Sequence, residues 1–167
     1  MTMKAPYRLL FLCTGNSARS IMAEALANAL GNGRLHACSA GSHPAGKVHP
    51  LAIEKLRSVA YPTDCLRSKG WDEFTGPNAP VVDIVITVCD NAAGEVCPIW
   101  PGGPISAHWG CEDPAAATDD EQRQAFDRVF RLLRQRVHRL LDLPLTTLDR
   151  AAIQRELMEI GKTGLVE

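Results

Sequence analysis

Apolar residues along this chain fall into short blocks separated by polar, glycine-rich joints. Residues 7 to 12, YRLLFL, form an apolar run that stops at a Gly-Asn-Ser loop, as a strand buried on both faces does. From Ser20 the small or apolar residues Met22, Ala25, Leu26, Ala29 and Leu30 recur at helical spacing, and Gly31 sits where a left-handed cap belongs. RLHACSA reads as a second strand ending at Gly41, and Pro50 suits the first turn of a helix that carries Leu51, Ala52, Leu56 and Val59 inward. VVDIVITVC, rich in β-branched residues and ending at Cys89, is the strongest strand signal in the chain. Residues 90 to 104 are rich in Gly and Pro and read as loop with room for one helical turn, and ISAHW reads as a short fourth strand. Thr118 with Glu121 has the pattern of a capping box, after which Phe126, Val129, Phe130, Leu133, Val137, Leu140 and Leu141 keep a helical stripe. Pro144 ends that helix, and a last one runs from near Asp149 to Ile160 and stops before Gly161.

Strands alternating with helices predict an α/β fold, a doubly wound four-stranded parallel sheet flanked by helices. With 167 residues, 46% of them apolar, the chain can bury one good core, so a single domain over 1–167 is expected, with a core at about 7–143 and a C-terminal helical extension at 147–161. In such sheets ligands bind at the carboxyl ends of the strands, beside the point where the strand order reverses. Cys13 and Cys89 would both lie at that edge.

Composition removes several classes of function. Eighteen basic against nineteen acidic residues leave a net charge of -1, which provides no electrostatic footprint for nucleic acid or a membrane surface. No stretch approaches the roughly 18 apolar residues of a membrane helix, and the apolar run before Cys13 is too short for a secretion signal. A cytoplasmic monomer is expected, and its six cysteines then read as reduced thiols, metal ligands or redox-active groups rather than structural disulfides.

The loop CTGNSARS follows a strand and opens a helix, so successive backbone amides and the helix dipole converge on whatever occupies it. The same dipoles and Arg19 favour thiolate over thiol at Cys13, and Ser20 can donate a further hydrogen bond. Arg19 presents a planar fork suited to two oxygens of a tetrahedral oxyanion, and Gly15 lets the backbone curl closely. Cys-x5-Arg-Ser in this context specifies a phosphate-like substrate attacked at its central atom. The competing reading is a buried Cys ahead of an ordinary helix cap. Displacement at that atom needs an acid for the departing oxygen, and Asp113, before Pro114 on a loop after the fourth strand, could reach the same edge. Outside this context an Asp-Pro pair is usually only a turn.

CTGNSARS resembles the active-site loop of low molecular weight protein tyrosine phosphatases and of the arsenate reductases that share their fold. The similarity continues through SAGSHPAGKVHP, WDEF, TVCDNAAGEVCP, AHWG and the Asp-Pro pair. Within this family Ala115, Ala116 and Ala117 stand where the phosphatases usually carry tyrosines, and Cys89 with Cys97 resembles the reductases' further redox pair. The resemblance therefore implies reduction of arsenate to arsenite, with hydrolysis of phosphate monoesters as the alternative. It implies that Thr14, Gly15, Asn16, Ser17, Ala18 and Arg19 hold arsenate, or phosphate or sulfate as mimics, while Cys13 attacks and Asp113 protonates the leaving oxygen. Cys89 then attacks Cys13, and Cys97 attacks Cys89 to carry the disulfide outward. No tightly bound cofactor is implied, only an external thiol reductant, either thioredoxin or glutathione with glutaredoxin. Cys89 and Cys97 enclose seven residues, DNAAGEV, one more than in the thioredoxin-linked members, and Ala18 replaces a Cys frequent there. Some members bind potassium beside the loop, and Asn16, Glu24, Ser39 and Asp72 occupy the matching positions. Read without the resemblance, Asn16 orders the loop, Glu24 caps or pairs locally, Ser39 ends its strand and Asp72 starts a helical turn.

Two rivals of other classes can be stated. Cys89, Cys97, His108 and Cys111 could surround zinc, but their spacing fits no familiar zinc module and leaves the Cys13 loop unexplained. A redox-regulated anion sensor without turnover would need neither Asp113 nor Cys97. Arg128, Arg131, Arg134 and Arg139 read as a solvated helix face, and His43, His49 and His108 as loop and packing residues. Cys38 reads as a small core residue and Cys65 as a loop spectator, and Cys111 has no assigned task.

Overall fold

The structure is a computed structural model and describes residues 6–89, 100 and 102–166. Strands β1 (Tyr7–Cys13), β2 (Leu35–Gly41), β3 (Ile84–Thr87) and β4 (Ile105–His108) form a parallel sheet in the order β2-β1-β3-β4. Helices α1 (Arg19–Gly31), α2 (Pro50–Arg57), α3 (Asp119–Asp142) and α4 (Arg150–Gly161) flank it, with 3-10 turns at Trp71–Phe74 and Pro114–Ala116. This is the doubly wound α/β architecture that the alternation of strands and helices predicts. Among the described residues no helix is long and apolar enough to cross a membrane.

The uninterrupted apolar run of β1 reflects its central place. Leu9 and Phe11 join a large cluster with Ile21, Met22 and Leu26 of α1, Phe126 and Leu133 of α3 and Leu157 of α4. Leu10 and Leu12 point the other way, onto Phe74, Val82 and Val85. The order of strands puts the reversal between β1 and β3, so Cys13 and the segment after β3 emerge side by side. Val88 N donates to Leu12 O at 2.8 Å and brings Cys89 to that edge.

Several local expectations differ from the structure. β3 is shorter than VVDIVITVC, because Val81 is 50% exposed and pairing starts only after Asp83, which bonds Arg8 through both its amide and its carboxylate. Gly31 remains helical and Asn32 takes the left-handed cap at φ 48°. Gly31 is small because a Cβ there would meet the Leu35 side chain at 3.1 Å. Thr118 makes no side-chain cap bond, so the capping box does not form; Asp119, Asp120 and Glu121 in the first turn complement the helix dipole instead. Asp149 does cap α4, accepting from Ala152 N at 2.8 Å.

α4 covers the edge strand β4. Trp109 Nε1 donates to Leu157 O at 2.9 Å, and a Cβ on Gly161 would lie 2.1 Å from His108 O. Arg136, a buried charge on α3 that the periodic stripe does not single out, donates to the carbonyls of Gly110, Gly161 and Thr163 and ties the chain after α4 to the segment after β4.

Candidate active site

Between β1 and α1, residues 14–18 wrap around the Cys13 sulfur. The carbonyls of Thr14, Gly15 and Ser17 are each held from outside, by the amides of His43 (2.9 Å), Ala45 (2.8 Å) and His49 (2.8 Å). A trans peptide sets N–H opposite C=O, so the amides of Gly15, Asn16 and Ala18 turn inward. Asn16 N donates to Cys13 Sγ at 3.2 Å. The loop curls through Asn16 at φ 45°, a left-handed conformation that Asn tolerates better than most residues. Gly41 backs it at the end of β2, where a Cβ would sit 2.4 Å from Thr14 O. The N-cap of α1 is Ala18, which cannot cap through its side chain, and this leaves the first amides of the helix for an anion.

The sulfur has a second partner in Ser20 Oγ, at 2.8 Å. That hydroxyl accepts from Asn16 Nδ2 at 2.8 Å, so its own proton is free to point at the sulfur. Arg19 begins α1 with its Nη1 donating to Cys111 O at 3.1 Å and its Nη2 3.8 Å from Asp113 Oδ2. Asp113 Oδ1 accepts from Ala115 N at 3.0 Å and caps the Pro114–Ala116 turn, so the carboxylate is both a turn former and a neighbour of Arg19. Cys89 is buried, with its Sγ 3.7 Å from Thr14 Oγ1. Cys97 lies outside the described residues.

The remaining thiols and imidazoles sort as follows. Cys111 is held against Val88 O, and burial pushes its thiol up to about 12, so at neutral pH it is not a nucleophile. Cys38 is half-buried and Cys65 exposed. His49 caps α2 through Nδ1, packs its ring on Phe126 at 4.7 Å, and is pushed down by burial. His108 Nδ1 lies 2.7 Å from Thr87 Oγ1, and His43 Nδ1 lies 3.1 Å from Ser42 Oγ. Of the arginines read as a solvated helix face, Arg128 is paired with Glu112 and Arg131 with Asp127 on the exposed surface. Among the described residues no three His, Cys, Asp or Glu side chains gather to hold a metal.

Of the four residues at the potassium-matching positions, Asn16, Ser39 and Glu24 come together. Asn16 Nδ2 donates to Ser39 Oγ at 3.0 Å and Ser39 Oγ donates to Glu24 Oε1 at 2.6 Å, so these groups satisfy one another. Asp72 is exposed on the Trp71–Phe74 turn, without a hydrogen bond or ion pair to them among the described residues. The charge beside Glu24 is the Lys69 ammonium, 3.7 Å away. Burial pushes the Glu24 carboxyl up, and Ser39 and Lys69 pull it back. The amide of Lys69 donates to Asn16 Oδ1 at 2.8 Å and Ser68 Oγ donates to Gly15 O at 3.2 Å. Neither residue carries a sequence signal for the site, because the segment 68–70 is brought to the loop by tertiary contacts such as the pairing of Gly70 with Gly41.

Fold and loop together define the class of α/β proteins that seat a cysteine thiol in an anion-binding turn between the first strand and the first helix. The family model described as low molecular weight phosphotyrosine protein phosphatase matches residues 8–157, and the chain belongs to that family. An arsenate reductase of Halalkalibacterium halodurans is 37% identical over 121 residues, covering 71% of this chain and 84% of the relative. A glutaredoxin arsenate reductase of Synechocystis is 31% identical over 134 residues, covering 80% and 95%. Among solved structures, an arsenate reductase in the phosphate binding state superposes with a TM-score of 0.62 at 29% identity, covering 81% of this chain and 96% of that one. A thioredoxin-dependent arsenate reductase of Corynebacterium glutamicum does so at 0.53 and 27%, covering 79% and 62%.

Proposed function

We propose that the protein reduces arsenate to arsenite, in the service of arsenic detoxification, and that Cys13 is its nucleophile. The observation that supports this best is the place of Cys89, a second buried thiol against Thr14 on the rim of the loop around Cys13. Hydrolysis of a phosphate ester needs one thiol; moving two electrons onto arsenic needs another. Ala115, Ala116 and Ala117 also offer no aromatic face to a substrate ring.

In this mechanism the inward amides and Arg19 hold three arsenate oxygens, and the Cys13 sulfur displaces the fourth as water, with the proton supplied by Asp113. The Cys89 thiolate then attacks Cys13 Sγ. An S–S bond forms, the S–As bond breaks, and its electron pair stays on arsenic, so As(V) becomes As(III) and the two thiols become a disulfide. Cys97 takes over Cys89 and releases Cys13, and an external dithiol closes the cycle. The reductant is thioredoxin or glutathione with glutaredoxin.

Turnover of arsenate with each reductant system, beside an aryl phosphate control, tests the reading. Cys13→Ser should lose both reactions, whereas Cys89→Ser should lose reduction and keep slow ester hydrolysis. Cys97→Ser should stall after about one turnover. Sustained arsenate turnover by Cys89→Ser would refute the internal relay and assign the second thiol to an external donor.

A further inference from the structure

Beneath the loop, a chain of polar side chains ends in a charge that the mechanism above does not use. The Lys69 and Glu24 side chains are only 9% and 12% exposed, and their charged atoms lie 3.7 Å apart. A carboxylate withdrawn this far from water stays ionised only beside a positive partner. Arg67, the other nearby cation, is turned outward onto Glu73. From Glu24 each donor and acceptor is fixed in turn, with donation running outward from Asn16 Nδ2 toward Glu24 on one side and toward Cys13 on the other. An ionised carboxylate only accepts, so Ser39 Oγ gives it its single proton, at 2.6 Å. Ser39 is then left to accept from Asn16 Nδ2, at 3.0 Å, while the amide of Lys69 holds Asn16 Oδ1, at 2.8 Å. The second Nδ2 proton goes to Ser20 Oγ, and the Ser20 proton is left for the sulfur of Cys13, each step spanning 2.8 Å.

We infer that Lys69 is a positioning residue, a resident monovalent cation that keeps Glu24 ionised, so fixes the donor and acceptor roles along the Glu24–Ser39–Asn16–Ser20 chain that ends on Cys13, and makes the protein independent of potassium. This rests on the reading of Cys13 as nucleophile. It differs from a packing role because it depends on charge at two positions rather than on volume at one.

The test measures alkylation of Cys13 by iodoacetamide at pH 7, followed on its own peptide by mass spectrometry, together with arsenate turnover. Both are run in potassium chloride and in tetramethylammonium chloride at equal ionic strength. The intact protein should show the same rates in the two salts. Lys69→Met should alkylate more slowly and lose on the order of tenfold in kcat, near the lower end of what one hydrogen bond to a charged atom contributes, with the KM for arsenate little changed. Adding Glu24→Gln should restore most of both rates, since an amide oxygen still accepts from Ser39 and needs no cation. A potassium requirement in the intact protein overturns the inference, as does unchanged alkylation in Lys69→Met or a loss that Glu24→Gln does not repair. Should Lys69→Met not fold, the salt comparison and the double variant decide. Absence of arsenate turnover in the intact protein would count against the proposed reaction alone, because alkylation of Cys13 involves no arsenate.

Discussion

Asp113 holds a turn in the structure and is the acid of the proposed mechanism, two tasks that a conservative change separates. Its Oδ1 holds the turn through Ala115 N and its Oδ2 faces Arg19 at 3.8 Å, a separation at which an ion pair with a carboxylate 49% exposed adds little stability. Asp113→Asn keeps an oxygen for the turn but cannot supply a proton. Thermal stability should stay at the parent value, and arsenate reduction should fall by roughly 10² to 10⁴, the usual span for a positioned acid. Steady-state rates and a melting curve on the same preparation check this, and an unchanged rate would place the acid elsewhere. Cys13, Arg19, Ser20 and Asp113 could be picked out from the sequence because each has a chemical reason to stand where it does. Lys69 could not, because its partners Glu24 and Asn16 are reached only across the fold.

At the scale of elements, the contact between α4 and β4 is tight enough to predict from. A Cβ on Gly161 would meet His108 O at 2.1 Å and Trp109 Cδ1 at 2.9 Å, and backbone cannot yield as a flexible side chain can. Gly161→Ala should push the end of α4 off the strand and cost about 1–3 kcal/mol, as overpacking does. For a chain of this size that corresponds to a fall of a few degrees in Tm, on the order of 2–4 °C per kcal/mol. Differential scanning calorimetry reads it directly, and an unshifted Tm would mean that α4 is not seated on β4 in solution. α4 was legible in the sequence as a last helix from near Asp149 to Ile160, and in the structure Ile153, Leu157 and Ile160 form its buried side. Its seat on β4 was not, since periodicity says that a face is apolar and nothing about which surface it meets.

For the whole molecule, the buried thiol of Cys111 sets an alkaline limit. Burial raises it from an ordinary 9.0 to about 12, so between those values the unfolded chain releases a proton that the folded chain retains. The resulting stabilisation is fully present below pH 9 and is lost as the pH rises through 12, by on the order of 1.4 kcal/mol per pH unit. Cys111→Ser has no thiol to titrate, so its urea midpoint should fall less steeply than that of the parent between pH 8 and 10, and parallel slopes would show that Cys111 is not held neutral. By itself the sequence determined the α/β alternation, the thiol in a turn between a strand and a helix, and the Asp-Pro pair on a later loop. Those features are local: a buried strand needs a run of apolar residues, a phosphate-like anion needs adjacent amides, and both leave their mark within a dozen positions. Only the tertiary structure decided that the Ser39 hydroxyl lies between the Glu24 carboxylate and the Asn16 amide nitrogen with the Lys69 ammonium beside Glu24, and that Cys89 lies against the loop while Cys111 is held on Val88 O. The physical reason is that hydrogen-bond direction and desolvation depend on distances between segments far apart in the chain, which no spacing along it encodes.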